Sequence, residues 1–341
     1  MENHPLFQIF SVSDVLRRTV GLLLDKTAGL APLERPWHAV LDTSEFRLRR
    51  YDQDNGTTGP VLIVPAPIKR AYIFDLLPQV SVVARLADAG FSVYLSEWRD
   101  GANGDLATTI TSIATALDKI AMEHGRPPIV LGHSLGGTLA AITAALNPGQ
   151  VQKLLLIEAP LRFGEQIGAL RPVTIYPGTP LGTDRHVPGS LLDLASVSAA
   201  PDEFAFGRWI DAFSSLLDEE ALSIHTRVIR WTLDEFAPSA PLLEGVIDLL
   251  YRRDLFARNE LHLLGRDVRV ESLADVHVAA IVDHSSRVVP FQSALEPLRS
   301  PTVISYTPET GVGLQHVGPL VGRRAHRDVW PRVVHWMSIG S

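Results

Sequence analysis

Three residues far apart in the chain have the side chains that acyl transfer needs: Ser134, Asp283 and His316. A serine hydroxyl is a weak nucleophile at neutral pH, so a histidine must take its proton, and a carboxylate must fix that histidine's tautomer and stabilise the imidazolium. Ser134 lies in Gly132-His133-Ser134-Leu135-Gly136. Before it runs the apolar, β-branched Ile129-Val130-Leu131, bounded by Pro127-Pro128. After it comes the helix-favouring Gly137-Thr138-Leu139-Ala140-Ala141. Strand, glycine-flanked serine and helix predict a nucleophile elbow, in which Gly132 and Gly136 let strand and helix approach while the serine is held in a strained turn. The turn also puts the Leu135 N–H at a helix start, where unpaired amides face any negative charge developing beside the hydroxyl.

The elements that must position the other two follow the same logic. Asp283 closes the apolar run Val276 to Val282, and His316 follows a last predicted strand, Thr302 to Tyr306, through the glycine-rich Gly311-Val312-Gly313-Leu314-Gln315. The order nucleophile, acid, histidine, each after a strand, is that of an α/β-hydrolase fold. Asp254 and Asp275 compete with Asp283 for the acid. His284 and His133 should point away from the site, and His326 and His335 fall on or near a final helix. The strand Val61 to Val64 ends at Pro65-Ala66-Pro67, the place for a second oxyanion donor. Pro67 has no N–H, so Ala66 or Ile68 supplies it.

Helices are expected over 76–89 and 107–123, strands over 46–51, 91–95 and 153–160, and a turn at Asp54-Asn55-Gly56. This alternation predicts a mostly parallel, doubly wound sheet. The expected organisation is an N-terminal helical arm (1–44, with an amphipathic helix over 12–28), a core (45–163 and 270–341) and a helical cap (164–269). The cap opens with a Gly/Pro-dense stretch. It then carries apolar stripes, Phe204, Trp209, Ile210, Phe213 and Trp231 among them, which either pack a core of their own or line an acyl pocket over Ser134.

With 341 residues the chain is long enough for a large core. A net charge of -7 disfavours nucleic acid as a partner. Zero cysteines exclude disulfides and thiolate chemistry. No motif suggests a metal or another cofactor, no run approaches the length of a membrane span, and the start lacks the features of a secretion signal, so a cytoplasmic location is expected.

Several stretches resemble the polyhydroxyalkanoate synthases, especially the class III catalytic subunit. They are Ile68-Lys69-Arg70-Ala71-Tyr72-Ile73-Phe74-Asp75-Leu76, the elbow with Gly136-Gly137-Thr138-Leu139, and Val187-Pro188-Gly189-Ser190. The likeness continues in Asp283-His284 with Val288-Val289-Pro290, and in His316-Val317-Gly318-Pro319-Leu320-Val321-Gly322-Arg323-Arg324 running into Trp330-Pro331. The resemblance covers about residues 45–338. It implies a capped hydrolase core, acyl transfer from coenzyme A thioesters, a triad at positions 134, 283 and 316, and Ile68 rather than Ala66 as the second oxyanion donor. Class III members work with a second subunit, so a second subunit or a second copy is the protein partner to look for. Those synthases use cysteine where this chain has Ser134. An oxyester on serine is a less reactive donor than a thioester, so transfer to water or to a single acceptor is expected over chain growth. The expected activity is that of a serine-dependent acyl hydrolase or single-turn acyltransferase on acyl esters or thioesters. A 3-hydroxyacyl-CoA polymerase is the alternative, and a non-catalytic binding protein of the same fold is the third reading.

Overall fold

Side chains alternate across a strand, so a strand apolar at every position must be covered on both faces. Val61, Leu62, Ile63 and Val64 are all fully buried, as are Leu154, Leu155, Leu156 and Ile157. A computed structural model of the protein describes residues 5–51, 58–163, 186–311 and 315–339. The described strands are β1 (Trp37–Asp42), β2 (Phe46–Tyr51), β3 (Gly59–Val64), β4 (Phe91–Trp98), β5 (Ile129–His133) and β6 (Lys153–Ile157), followed by β7 (Leu261–Leu263), β8 (Arg266–Val268), β9 (His277–Asp283) and β10 (Thr302–Tyr306). β7 and β8 form a small hairpin. The other eight make one sheet in the order β1-β2-β4-β3-β5-β6-β9-β10, antiparallel at β1–β2 and β2–β4 and parallel elsewhere.

This is the mostly parallel α/β sheet expected, and its parallel strands bring their C-terminal ends to one edge. One apolar core lies on each face. Helices α3 (Leu106–His124) and α4 (Leu135–Leu146) contribute to the first, and α2 (Val82–Asp88) with the C-terminal helix Trp330–Ser338 to the second. Lys153 pins that last helix: its Nζ donates to the carbonyls of Trp336 and Met337, each at 2.9 Å, where a helix end leaves carbonyls unpaired.

Several boundaries differ from the sequence expectation. Residues 1–44 are not only a helical arm, because β1 extends the sheet. The helix expected over 76–89 is broken at Pro78, which starts a short 3-10 turn, and Ser81 then caps α2 by accepting from the Ala84 N–H at 2.8 Å. The strand expected over 153–160 stops at Ile157. The turn Asp54-Asn55-Gly56 and most of the Gly/Pro-dense stretch lie outside the described residues.

Helix α1 (Pro5–Ala28) packs on the cap helices Gly189–Ala199 and Glu219–Leu233. Asp14 is buried and accepts from the Gly189 and Ser190 N–H groups, each at 2.9 Å, placing a carboxylate at a helix N-terminus. Glu235, also buried, takes Lys69 Nζ at 2.7 Å and Arg17 at 2.8 Å, so one carboxylate ties arm, cap and the loop after β3 together. Both readings of the cap's apolar stripes hold in part. Leu242, Leu243, Val246 and Leu250 are buried, Phe204 and Trp231 line a cavity over Ser134, and Trp209, Ile210, Phe213, Leu216 and Leu217 point to solvent. No helix among the described residues is long and apolar enough to cross a membrane.

Candidate active site

Ser134 has φ 54° and ψ -133°, a conformation that a non-glycine residue holds only under restraint. The restraints are visible. Its N–H donates to Ile157 O at 2.9 Å, and its carbonyl accepts from the N–H groups of Gly137 (2.9 Å) and Thr138 (3.2 Å), which leaves Leu135 as the free first amide of α4. The neighbouring glycines each answer a different approach. A Cβ on Gly132 would stand 2.5 Å from Gly137 Cα, so this pair lets strand and helix meet. A Cβ on Gly136 would stand 2.3 Å from Val64 O and 2.7 Å from Ala66 N, so this glycine admits the loop after β3, a role sequence reasoning had given to strand–helix packing. A Cβ on Gly137 would stand 2.4 Å from Ala159 Cβ, so it admits the turn after β6.

His316 and Ser134 line the same cavity, of about 140 Å³, with no hydrogen bond between them. Such contacts commonly tighten only when substrate is bound. His133, expected to point away from the site, instead lines the same cavity as Ser134 and His316, and its Nε2 donates to the carbonyl of His316 at 2.9 Å, joining the nucleophile strand to the histidine loop. His284 faces Ser305 and Phe291, and His326 is buried against Leu320 O and Trp330.

The carboxylate pairing departs from expectation. His316 Nδ1 bonds Glu158 Oε2 at 3.0 Å, and no hydrogen bond to Asp283 is found among the described residues. Asp283 reaches the same edge of the sheet and is buried, but its Oδ1 accepts from Ser285 N–H (2.8 Å) and Ser285 Oγ (2.7 Å), and its Oδ2 has no partner. Strand order alone would favour Asp283, since β9 and not β6 neighbours β10, the strand before the histidine; the turn after β6, with Glu158 at φ 43°, carries the competing carboxylate to the ring. Asp254, a competitor in sequence, accepts instead from the Phe163 N–H at 2.7 Å. Sequence reasoning misses Glu158 because it falls inside the run 153–160 that reads as a buried strand. A carboxylate closing an otherwise apolar, fully covered strand was the signal.

Burial pushes Glu158 up to about 6, opposed by His316 and reinforced by the like charge of Asp283. Burial holds His133 down to about 3 and His326 down to about 4. These shifts set an acid limit on stability. The unfolded chain takes up protons on both histidines near 6.5 while the folded chain refuses them, so their contribution is complete above that pH and is lost as pH falls. Glu158 acts in the opposite sense, because its folded form keeps a proton to higher pH, as do the partly buried Glu34 and the buried Asp75 and Glu203, while His124 and His225 add to the histidine side; the shifts of His133 and His326 exceed that of Glu158. Urea unfolding at pH 5 is therefore expected to show on the order of 2 kcal/mol less stability than at pH 7. Equal midpoints at the two pH values would show that these histidines are not held neutral.

The cavity wall is mostly apolar but also carries Asp193, Ser196 and Thr232, and its cations are each already paired: Lys69 with Glu235 (2.7 Å), Arg70 with Asp100 (2.8 Å) and Arg208 with Asp193 (3.2 Å). Ala66 and Ile68 both line it from the loop that Gly136 admits. His133, Glu158 and His316 bring three ligand-type atoms within 4.8 Å of one another, the one metal-like cluster among the described residues. His133 Nε2 and Glu158 Oε2 are already spent on His316, so the cluster reads as a hydrogen-bonded relay.

The model of the alpha/beta hydrolase family matches residues 56–316. The chain belongs to that family. It is similar to the poly(3-hydroxyalkanoate) polymerase subunit PhaC of Haloferax mediterranei, 29% identical over 315 residues that cover 89% of this chain and 64% of the relative. The PhaC subunit of Synechocystis sp. is 26% identical over 364 residues, covering 98% and 95%. The chain thus spans a little under two thirds of the haloarchaeal protein but nearly all of the cyanobacterial one. The resemblance to polyhydroxyalkanoate synthases therefore holds over most of the chain. Among solved structures, the fold is shared with a monoacylglycerol lipase of Paleococcus ferrophilus (TM-score 0.53, 17% identity, 86% of this chain and 99% of that one) and with esterase E22 (TM-score 0.54, 11% identity, 86% and 93%).

Proposed function

We propose that this hydrolase-family protein is a serine-dependent acyl hydrolase or single-turn acyltransferase acting on acyl esters or thioesters, with 3-hydroxyacyl thioesters as the substrate class. The observation that carries this reading is a strained serine at a helix start, sharing one apolar cavity with a histidine whose far nitrogen is already tied to a carboxylate. Ser134 Oγ attacks the acyl carbonyl and its proton passes to His316 Nε2. The oxyanion is met by the amides of Leu135 and Ile68. The bond to the thiol or alcohol then breaks, and that group leaves with the proton from His316. Water, deprotonated by the same imidazole, releases the acid and restores the serine. The cavity's cations are neutralised by their partners, so the wall suits an uncharged acyl group.

A second reading, chain growth, is favoured by the relatives, whose names are those of polymerase subunits. That naming also makes a second subunit, or a second copy, the protein partner to test. The two readings part at the acyl-enzyme, because an ester on serine passes to another alcohol with little gain in free energy. Incubation with 3-hydroxybutyryl-CoA is expected to yield free 3-hydroxybutyrate and coenzyme A in equal amounts. High-mass polyester as the main product would reverse the ranking.

A further inference from the structure

We infer that Glu158, at the end of β6, is the carboxylate that orients His316, and that Asp283, at the end of β9, stands behind it as a second, unpaired carboxylate. This rests on the serine–histidine reading above and adds the positioning group to it. The geometry has four independent parts. Glu158 Oε2 is 3.0 Å from His316 Nδ1, which leaves Nε2 for the serine side of the ring. Glu158 is only 2% exposed, and a carboxylate is buried at such a cost only when a partner compensates. Its backbone has φ 43°, unusual for a residue with a side chain, so the turn is held in a form that aims the side chain at the edge of the sheet.

The fourth part is how that turn is clamped. The Glu158 N–H donates to Ile281 O (3.0 Å), Thr138 Oγ1 donates to Pro160 O (2.7 Å), and Gly137 makes room for Ala159. The helix that presents the serine therefore also fixes the carboxylate. Asp283 lacks this arrangement, with one oxygen turned to Ser285 and the other buried without a partner, as is Glu158 Oε1.

The groups facing Glu158 are His316, Asp283, Tyr306 from β10, Glu203 from the cap and His133 from β5. Two carboxylates around one imidazole disfavour simultaneous ionisation, so the acid limb of the pH–rate profile reports the pair, and Asp283 sets where that limb falls. Ionised Glu158 holds the Nδ1 proton of His316. Protonated, it no longer stabilises the imidazolium, and activity falls on the acid side.

The test compares Glu158→Gln with Asp283→Asn, reading both catalysis and the imidazole N–H proton that a carboxylate-bound histidine shows far downfield in NMR. E158Q is expected to lower kcat for acyl hydrolysis by about 10³- to 10⁴-fold and to remove the downfield signal. D283N is expected to keep that signal, to lose less than about tenfold in plateau kcat, and to move the acid limb to lower pH, since removing a like charge eases ionisation of Glu158. The reverse assignment, with signal and activity lost in D283N and kept in E158Q, overturns the inference. Should E158Q fail to fold, D283N alone decides, because loss of the signal there is fatal to it. A wild-type protein that shows the signal but no serine reactivity would leave Glu158 in place and sink the catalytic reading instead.

Discussion

Ser134→Ala is expected to abolish covalent labelling by a fluorophosphonate and to lower turnover of an acyl-thioester by about 10⁶-fold, the scale on which losing a nucleophile acts when the rest of the site remains. The argument begins with strain. Ser134 occupies φ 54° with three backbone hydrogen bonds around it, so the fold spends stability to hold this residue above the sheet. Alanine fits the same backbone and leaves cavity, histidine and helix amides in place, so the loss belongs to the missing oxygen. Labelling separates an enzyme from a scaffold: a wild-type chain that is never labelled would return this fold to the non-catalytic reading. The two chains should melt at nearly the same temperature, which excludes unfolding as the cause.

Most of what that prediction uses was legible in the sequence. Ser134 was found because three signals coincide at it, an apolar strand, glycine spacing and a helix-favouring run, and because Val130 and Leu131 admit no solvent-facing alternative. His316 was found by position, after the last strand. The weak point is that partner choice depends on how the turns after the strands are held in space. Glu158 and Asp283 both close apolar strands, and the turn after β6, with Glu158 at φ 43°, is what brings Glu158 to the histidine. β1 escaped notice for a different reason. It is a half-exposed edge strand with a register shift between Ala39 and Leu41, so neither alternation nor continuous apolarity marks it. The cap stripes were ambiguous because helical spacing identifies an apolar face but not what covers it. Phe204 and Trp231 turn inward to the cavity, while Trp209 and Phe213, on the same pattern, turn to solvent.

Gly136→Ala reverses what helix propensity alone would give. Alanine in a helix is favoured over glycine by roughly 1 kcal/mol, so a change at this α4 position should stabilise the protein if only the helix mattered. Here the new Cβ would stand 2.3 Å from Val64 O, 2.5 Å from Pro65 C and 2.7 Å from Ala66 N, all backbone atoms that no side-chain rotation can remove. Either the helix start or the loop must move, and each carries one of the two amides assigned to the oxyanion, Leu135 on the helix and Ile68 on the loop. We therefore expect a net destabilisation of about 1 to 3 kcal/mol and a fall in kcat of about 10²- to 10³-fold, the cost of one lost oxyanion donor. KM should change far less than kcat, because the donors engage charge that develops only in the transition state. Gly149→Ala is the control, since a Cβ there meets nothing within 4 Å. If G136A behaves like G149A in both urea midpoint and kcat, the loop after β3 does not press on the elbow and Ile68 loses its claim to the oxyanion.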